Sequence, residues 1–127
     1  MTHQAVSKAW DQELVPTLSG RTTAPSPDCP VELALAAISG RWTTLVLRNL
    51  MSGEAYSYSL LANSLPELSD KVLTDRLSEL CAAGFVRRTI SNGFPARTSY
   101  RITALGQQLR PLLIELYRTG LALQGDG

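Results

Sequence analysis

The chain has a single histidine, His3, and only two cysteines, Cys29 and Cys81. One histidine beside the amino terminus offers no credible general base, and no nucleophile–base pair or phosphate-cradling loop accompanies it, so an enzyme is not expected. His, Cys and acidic residues nowhere occur at metal-ligand spacing, so no zinc site is expected, and no cofactor motif is present. The opening stretch, MTHQAVSKAWDQELVP, lacks both an apolar core and a small-residue cleavage site. With no export signal, two thiols do not make a disulfide framework. No apolar run approaches the roughly 18–20 residues of a bilayer span, so no membrane partner is expected and a cytoplasmic location follows. Charge is also scarce, at 18% of residues, with twelve basic against eleven acidic and a formal net charge of +1. That balance excludes a polybasic tail, but it leaves room for a locally basic field.

What is present fits one compact core, since 44% of the 127 residues are apolar. Val6, Trp10, Leu14 and Leu18 recur at a spacing that suits one helix face, which Pro16 weakens near its end. SGRTTAPSPD, residues 19–28, then reads as a linker. Residues 1–28 are accordingly an extension with a short amphipathic helix, and 29–127 the folded domain. Pro30 suits the first position of a helix, VELALAAIS, that Gly40 interrupts. A second helix, RWTTLVLRNLMS, stops at Gly53, and AYSYS is a candidate short strand. Ser59 is placed as N-cap of a helix from Leu60 to Leu65, closed by Pro66. Ser69 caps a longer helix from Asp70 to about Ala83, with Leu73, Leu77, Leu80 and Gly84 on one face. FVRRTI and TSYRIT read as two strands joined by SNGFPAR. Thr103 caps a final helix, which Pro111 should kink or divide. The result is a mainly α chain with a small β-hairpin, the plan of a winged helix-turn-helix.

On the helix from Asp70, Lys71, Asp75, Ser78 and Ala82 fall opposite the leucine stripe, with Thr74 beside them. A recognition helix presents such N-terminal side chains to base edges: Lys71 can donate to guanine or phosphate, Thr74 can meet a thymine methyl, and Asp75 can accept from cytosine. A plain solvated helix face has the same composition. The hairpin adds Arg87, Arg88, Arg97 and Arg101 with no acid between Gly84 and Arg101. Strand alternation puts Arg87 and Arg88 on opposite faces, and one of them has Glu67 or Glu79 as a potential ion-pair partner. Arg97, at the edge of the turn, is placed to reach phosphate or a minor groove.

CPVELALAAISGRWTTLVLRNL, LPELSDKVLTDRLSELCAAGFVRRT and PARTSYRITALGQQLRPLL resemble successive signatures of the HxlR family of bacterial transcriptional regulators, over about residues 29–120. The resemblance implies a homodimeric winged-helix protein that binds double-stranded DNA at a palindromic operator, with contacts from Lys71, Thr74, Arg76 and Arg97. Ser59 and Ser69 at the helix starts, with Asp75 and Ser78, complete the candidate contact set. LLANSL lacks the arginines that relatives often carry there, which predicts weaker or more base-dependent binding. The alternative is a winged-helix module that binds protein without touching DNA.

The last helix is too apolar for one monomer alone. Leu105, Leu109, Leu112 and Leu116 form a stripe with Leu113, Tyr117 and Gly120 beside it; part of this helix is expected to pack on the domain core, and Leu109, Leu112, Leu113, Leu116, Tyr117 and Gly120 are the expected dimer face. Cys29 precedes a helix start, which favours a thiolate, while Asp28 opposes it. Relatives with a cysteine there include redox sensors, so Cys29 is either an oxidant-sensing thiol or a small capping residue. Cys81 reads as a packed core thiol. A small-molecule effector is the other candidate signal, with Trp10, Trp42, Tyr56, Tyr58 and Tyr117 as pocket candidates or as plain core.

Overall fold

Two capped helices and a three-stranded sheet organise the chain, as seen in a computed structural model that describes residues 11–21 and 26–125. The elements are α1 (Pro30–Ile38), α2 (Thr43–Leu50), β1 (Tyr56–Ser57), α3 (Tyr58–Ser64), α4 (Asp70–Ala82), β2 (Val86–Ile90), β3 (Thr98–Ile102), α5 (Ala104–Gln107) and α6 (Arg110–Leu123). The chain divides into two compact units, Met1–Ala36 and Ala37–Gly127.

In the first unit, the expected helix over residues 3–18 does not form across its described part. Residues 12–14 are a turn and Leu18–Gly20 a single 3-10 turn; Val6 and Trp10 lie outside the described residues. The reason is local. The Asp11 carboxylate accepts from the amides of Glu13 and Leu14, at 2.9 and 3.4 Å, so a side chain takes bonds that a helix would have supplied. Pro16 then removes a donor, and Leu14 and Leu18 stay exposed.

The second unit holds the core. Val46, Leu47 and Leu50 from α2 meet Leu61 of α3, Leu73, Leu77 and Leu80 of α4, Val86 of β2, Ile102 of β3, and Leu109 and Leu113. Each fully buried leucine contributes about 1.5–3 kcal/mol relative to exposure. Leu109 and Leu113 were placed by periodicity in a dimer face. They are instead 8% and 7% exposed within the single chain, so the monomer core claims them.

Ser57, not Ser59, caps α3. Its hydroxyl accepts from the Leu60 amide at 3.1 Å, because β1 delivers Ser57 in an extended conformation directly into the helix. Leu65 ends α3 just before Pro66, where α-helical backbone is disfavoured. After the turn at 65–69, Ser69 caps α4 by accepting from the Val72 amide at 3.2 Å.

The sheet is antiparallel in the order β1-β3-β2. Register pairs Arg87 with Arg101 and Arg88 with Tyr100. Directly opposed residues share a face, so Arg87 and Arg101 stand together on the outer side. Neither Arg87 nor Arg88 pairs with Glu79, whose carboxylate is taken by Arg76. This hairpin beside a helix–turn–helix is the winged arrangement that the element order predicted. No helix among the described residues is long and apolar enough to cross a membrane.

Candidate nucleic-acid interface

The leucine stripe decides how α4 is displayed. With Leu73 and Leu77 each 1% exposed, the helix cannot roll, and Lys71, Thr74 and Ser78 are held outward. Lys71 forms an i,i+4 pair with Asp75, Nζ to Oδ2 3.1 Å. The Lys71 ammonium therefore rests on a carboxylate of its own helix.

Tyr58 joins this face to the wing. Its hydroxyl donates to Asp70 Oδ1 at 3.0 Å and lies 3.4 Å from Thr74 Oγ1, both in the first turns of α4. The same residue lines a groove with Ser57, Ser59, Pro95, Ala96 and Arg97. The start of α4, the start of α3 and the wing root are thus contiguous, with Ser59 and Arg97 lining one groove. Sequence reading had offered Tyr58 only as a pocket aromatic. Its spacing from Asp70 crosses a helix and a turn, so no periodicity reveals the bond.

Arg97 is exposed at the end of the hairpin loop. Its amide donates to Ser91 Oγ at 3.1 Å, and its carbonyl accepts from the Ser91 amide at 2.8 Å. The backbone is fixed on both sides while the guanidinium is left to solvent.

Arg76 has a different surrounding from Lys71. It lies three residues after Leu73 and four before Leu80, on the margin of the buried stripe. Its guanidinium is largely buried, with Nη2 donating to Glu79 Oε2 at 3.2 Å and Nη1 to the Arg41 carbonyl at 3.3 Å. Nε comes within 3.1 Å of Glu79 Oε1 but is not aligned for a hydrogen bond. Nη1 sits over Gly40, where a β-carbon would come within 3.0 Å of it. Arg76 therefore braces the turn before α2 against α4. That turn is strained: Trp42 has a φ of +72°, in the left-handed region, with the Arg41 guanidinium 5.0 Å from its ring centre.

Cys29 is half-buried immediately before α1, and its carbonyl accepts from the Leu33 amide at 2.9 Å. Cys81 packs against the core from α4. Burial pushes its thiol above the ordinary range, and the Arg88 guanidinium partly offsets that. Both cysteines are free thiols. Of the residues expected in a dimer face, Leu116 and Tyr117 are exposed, at 42% and 63%, while Leu112 and Gly120 are half-buried. Tyr56 pairs with Tyr100 across the sheet, and its hydroxyl is 3.3 Å from Ser52 Oγ. Trp42, Tyr56, Tyr58 and Tyr117 do not line one common pocket.

Comparison with known proteins gives a consistent picture. The model of the HxlR-like helix-turn-helix family matches residues 37–124. An HTH-type transcriptional regulator of Synechocystis sp. is 35% identical over 92 residues, which is 72% of this chain and 67% of that one. A MarR-family transcriptional regulator from Porphyromonas gingivalis W83 superposes with a TM-score of 0.70 at 27% identity, over 79% of this chain and 97% of that one. The redox regulator HypR in its oxidised form superposes with a TM-score of 0.66 at 28% identity, over 74% of this chain and 96% of that one.

Proposed function

The chain belongs to the HxlR-like helix-turn-helix family and is a DNA-binding transcriptional regulator; from that premise we propose how it reads DNA. The α4 helix enters the major groove and presents Lys71, Thr74, Asp75 and Ser78 to base edges. Ser59, Ser69 and Arg97 line the adjoining surface and meet the sugar–phosphate backbone. Arg76 stays with Glu79 and the Arg41 carbonyl and positions α4 without touching DNA. The observation that carries this reading is the Tyr58 hydroxyl, 3.0 Å from Asp70 Oδ1, which unites the start of α4 with the groove that holds Arg97.

Two copies related by a two-fold axis match a palindromic operator, and we assign the association to the carboxy-terminal half of α6. Leu116, Leu121 and Leu123 are exposed there beside Gly120, which leaves an apolar surface that one copy does not cover. The signal we favour is oxidation at Cys29. Its support is a half-buried free thiol at a helix start, together with the likeness to HypR, a redox regulator.

The test is fluorescence anisotropy on a promoter fragment from the protein's own locus at two salt concentrations. Arg97→Ala should weaken binding across sequences and lower the slope of log K against log salt by about 1. An unchanged slope removes the wing from the interface. Binding should respond to diamide in the native protein and not in Cys29→Ser. Equal responses end the thiol assignment.

A further inference from the structure

On the side of the molecule formed by α2 and α6 lies a cleft of about 500 Å³. Its volume falls within the range of small-molecule sites. Three arginines line it: Arg48 from the last turn of α2, and Arg110 and Arg118 from α6. Between them the wall is apolar, made by Met51, Ile114 and Tyr117 over the buried Leu113. Arg118 already holds Glu115, with Nη1 2.8 Å from Oε2. Arg48 and Arg110 have no carboxylate partner among the described residues. Two unpaired guanidinium groups on one cleft raise its potential, and an anion relieves that most directly. The apolar wall makes a fully hydrated inorganic anion a poor match, because it would leave Met51, Ile114 and Tyr117 facing water.

We propose that this cleft binds a small organic carboxylate, with the carboxylate held by Arg48 and Arg110 and an apolar body laid on Met51, Ile114 and Tyr117. The guanidinium fork accepts a planar carboxylate through two parallel bonds, which an ammonium could not do. Met51 is held in place from behind, since Gln107 Nε2 donates to its carbonyl at 3.2 Å and ties α5 to the end of α2. A ligand there touches the helix that carries Val46, Leu47 and Leu50 and the helix assigned to self-association. Occupancy therefore joins the DNA-reading core to the pairing arm. The site itself stands on the chemistry of the cleft, whereas its use as a signal rests on the reading of the chain as a DNA-binding regulator.

The experiment is a methyl NMR titration of the full chain, followed at Met51 and Ile114, with 2-naphthoate, 2-naphthamide and inorganic phosphate as probes. The acid should shift both methyls saturably and bind on the order of tenfold tighter than its neutral amide, since only the acid makes charge-assisted bonds. Phosphate should leave the methyls unshifted. Arg110→Gln should cut the acid's advantage over the amide, Arg48→Gln combined with it should abolish that advantage, and Arg110→Lys, which keeps charge without the fork, should recover only part of the difference. Equal binding of acid and amide in the native protein would overturn the proposal without recourse to any variant. So would phosphate binding as tightly as the acid, or methyls that respond to no probe because a second copy fills the cleft. Failure to bind a promoter fragment at low salt, measured alongside, would strike at the regulatory reading and leave the naphthoate result to decide the cleft.

Discussion

At the scale of single residues, the proposed interface rests on small polar groups whose partners are distant in sequence. Tyr58 is the clearest case, with its hydroxyl on Asp70 and Thr74. Tyr58→Phe keeps the ring and deletes only the bond. It should lower stability by about 0.5–1.5 kcal/mol in urea unfolding and weaken operator binding by more than that stability loss explains, because α4 loses its tie to the groove. Operator affinity equal to the native protein's would show that the bond is incidental. Lys71, Thr74 and Ser78 were legible as an outward face because helical periodicity fixes them once Leu73 and Leu77 are inside. Arg76 was not separable from them. Its side chain is long enough to turn back from the margin of the stripe toward the Arg41 carbonyl, and period alone does not report which way a flexible side chain turns.

At the scale of elements, capping and turn chemistry read well where a helix starts from an extended residue. Ser69 and Thr103 both cap as expected, Thr103 by accepting from the Gly106 amide at 3.0 Å. Ser59 failed because Ser57 stands two residues earlier with the same chemistry, and pairing of β1 with β3 decides between them. The division expected at Pro111 is present, with α5 ending at Gln107 and α6 starting at Arg110. Within α6 itself burial also divides the leucines: Leu113, four residues after the buried Leu109, enters the core, while Leu116 remains exposed. Gly106 is the tightest contact among these elements. A β-carbon there would collide with the Phe85 carbonyl and lie 2.6 Å from Ile102 Cγ1. Gly106→Ala should cost about 1–3 kcal/mol in urea unfolding, the usual range for overpacking, and backbone atoms have little room to yield. A change within a few tenths would mean that α5 slides away freely.

At the scale of the molecule, winged architecture was legible because element order, hairpin signals and the α4 stripe agree with one another. The proposed association surface was only partly so. An apolar helix states that something covers it, and burial within one chain must be subtracted before the partner's share is known. What remains on α6 after that subtraction is Ile114, Leu116, Tyr117, Leu121 and Leu123. Leu121→Glu places a charge in that surface and should shift the protein toward monomer in sedimentation equilibrium, with loss of operator binding and little change in thermal midpoint per chain. A dimer of native strength would move the association surface elsewhere.

Thr103 has a wider consequence. Its hydroxyl donates to the Gly84 carbonyl at 2.6 Å, at the exit of α4, while its amide donates to the Phe85 carbonyl at 2.9 Å at the root of the hairpin. The same side chain starts the segment that leads into α6. One residue thus ties the exit of α4, the root of the hairpin and the approach to α6 together, so a substitution at Thr103 disturbs all three at once.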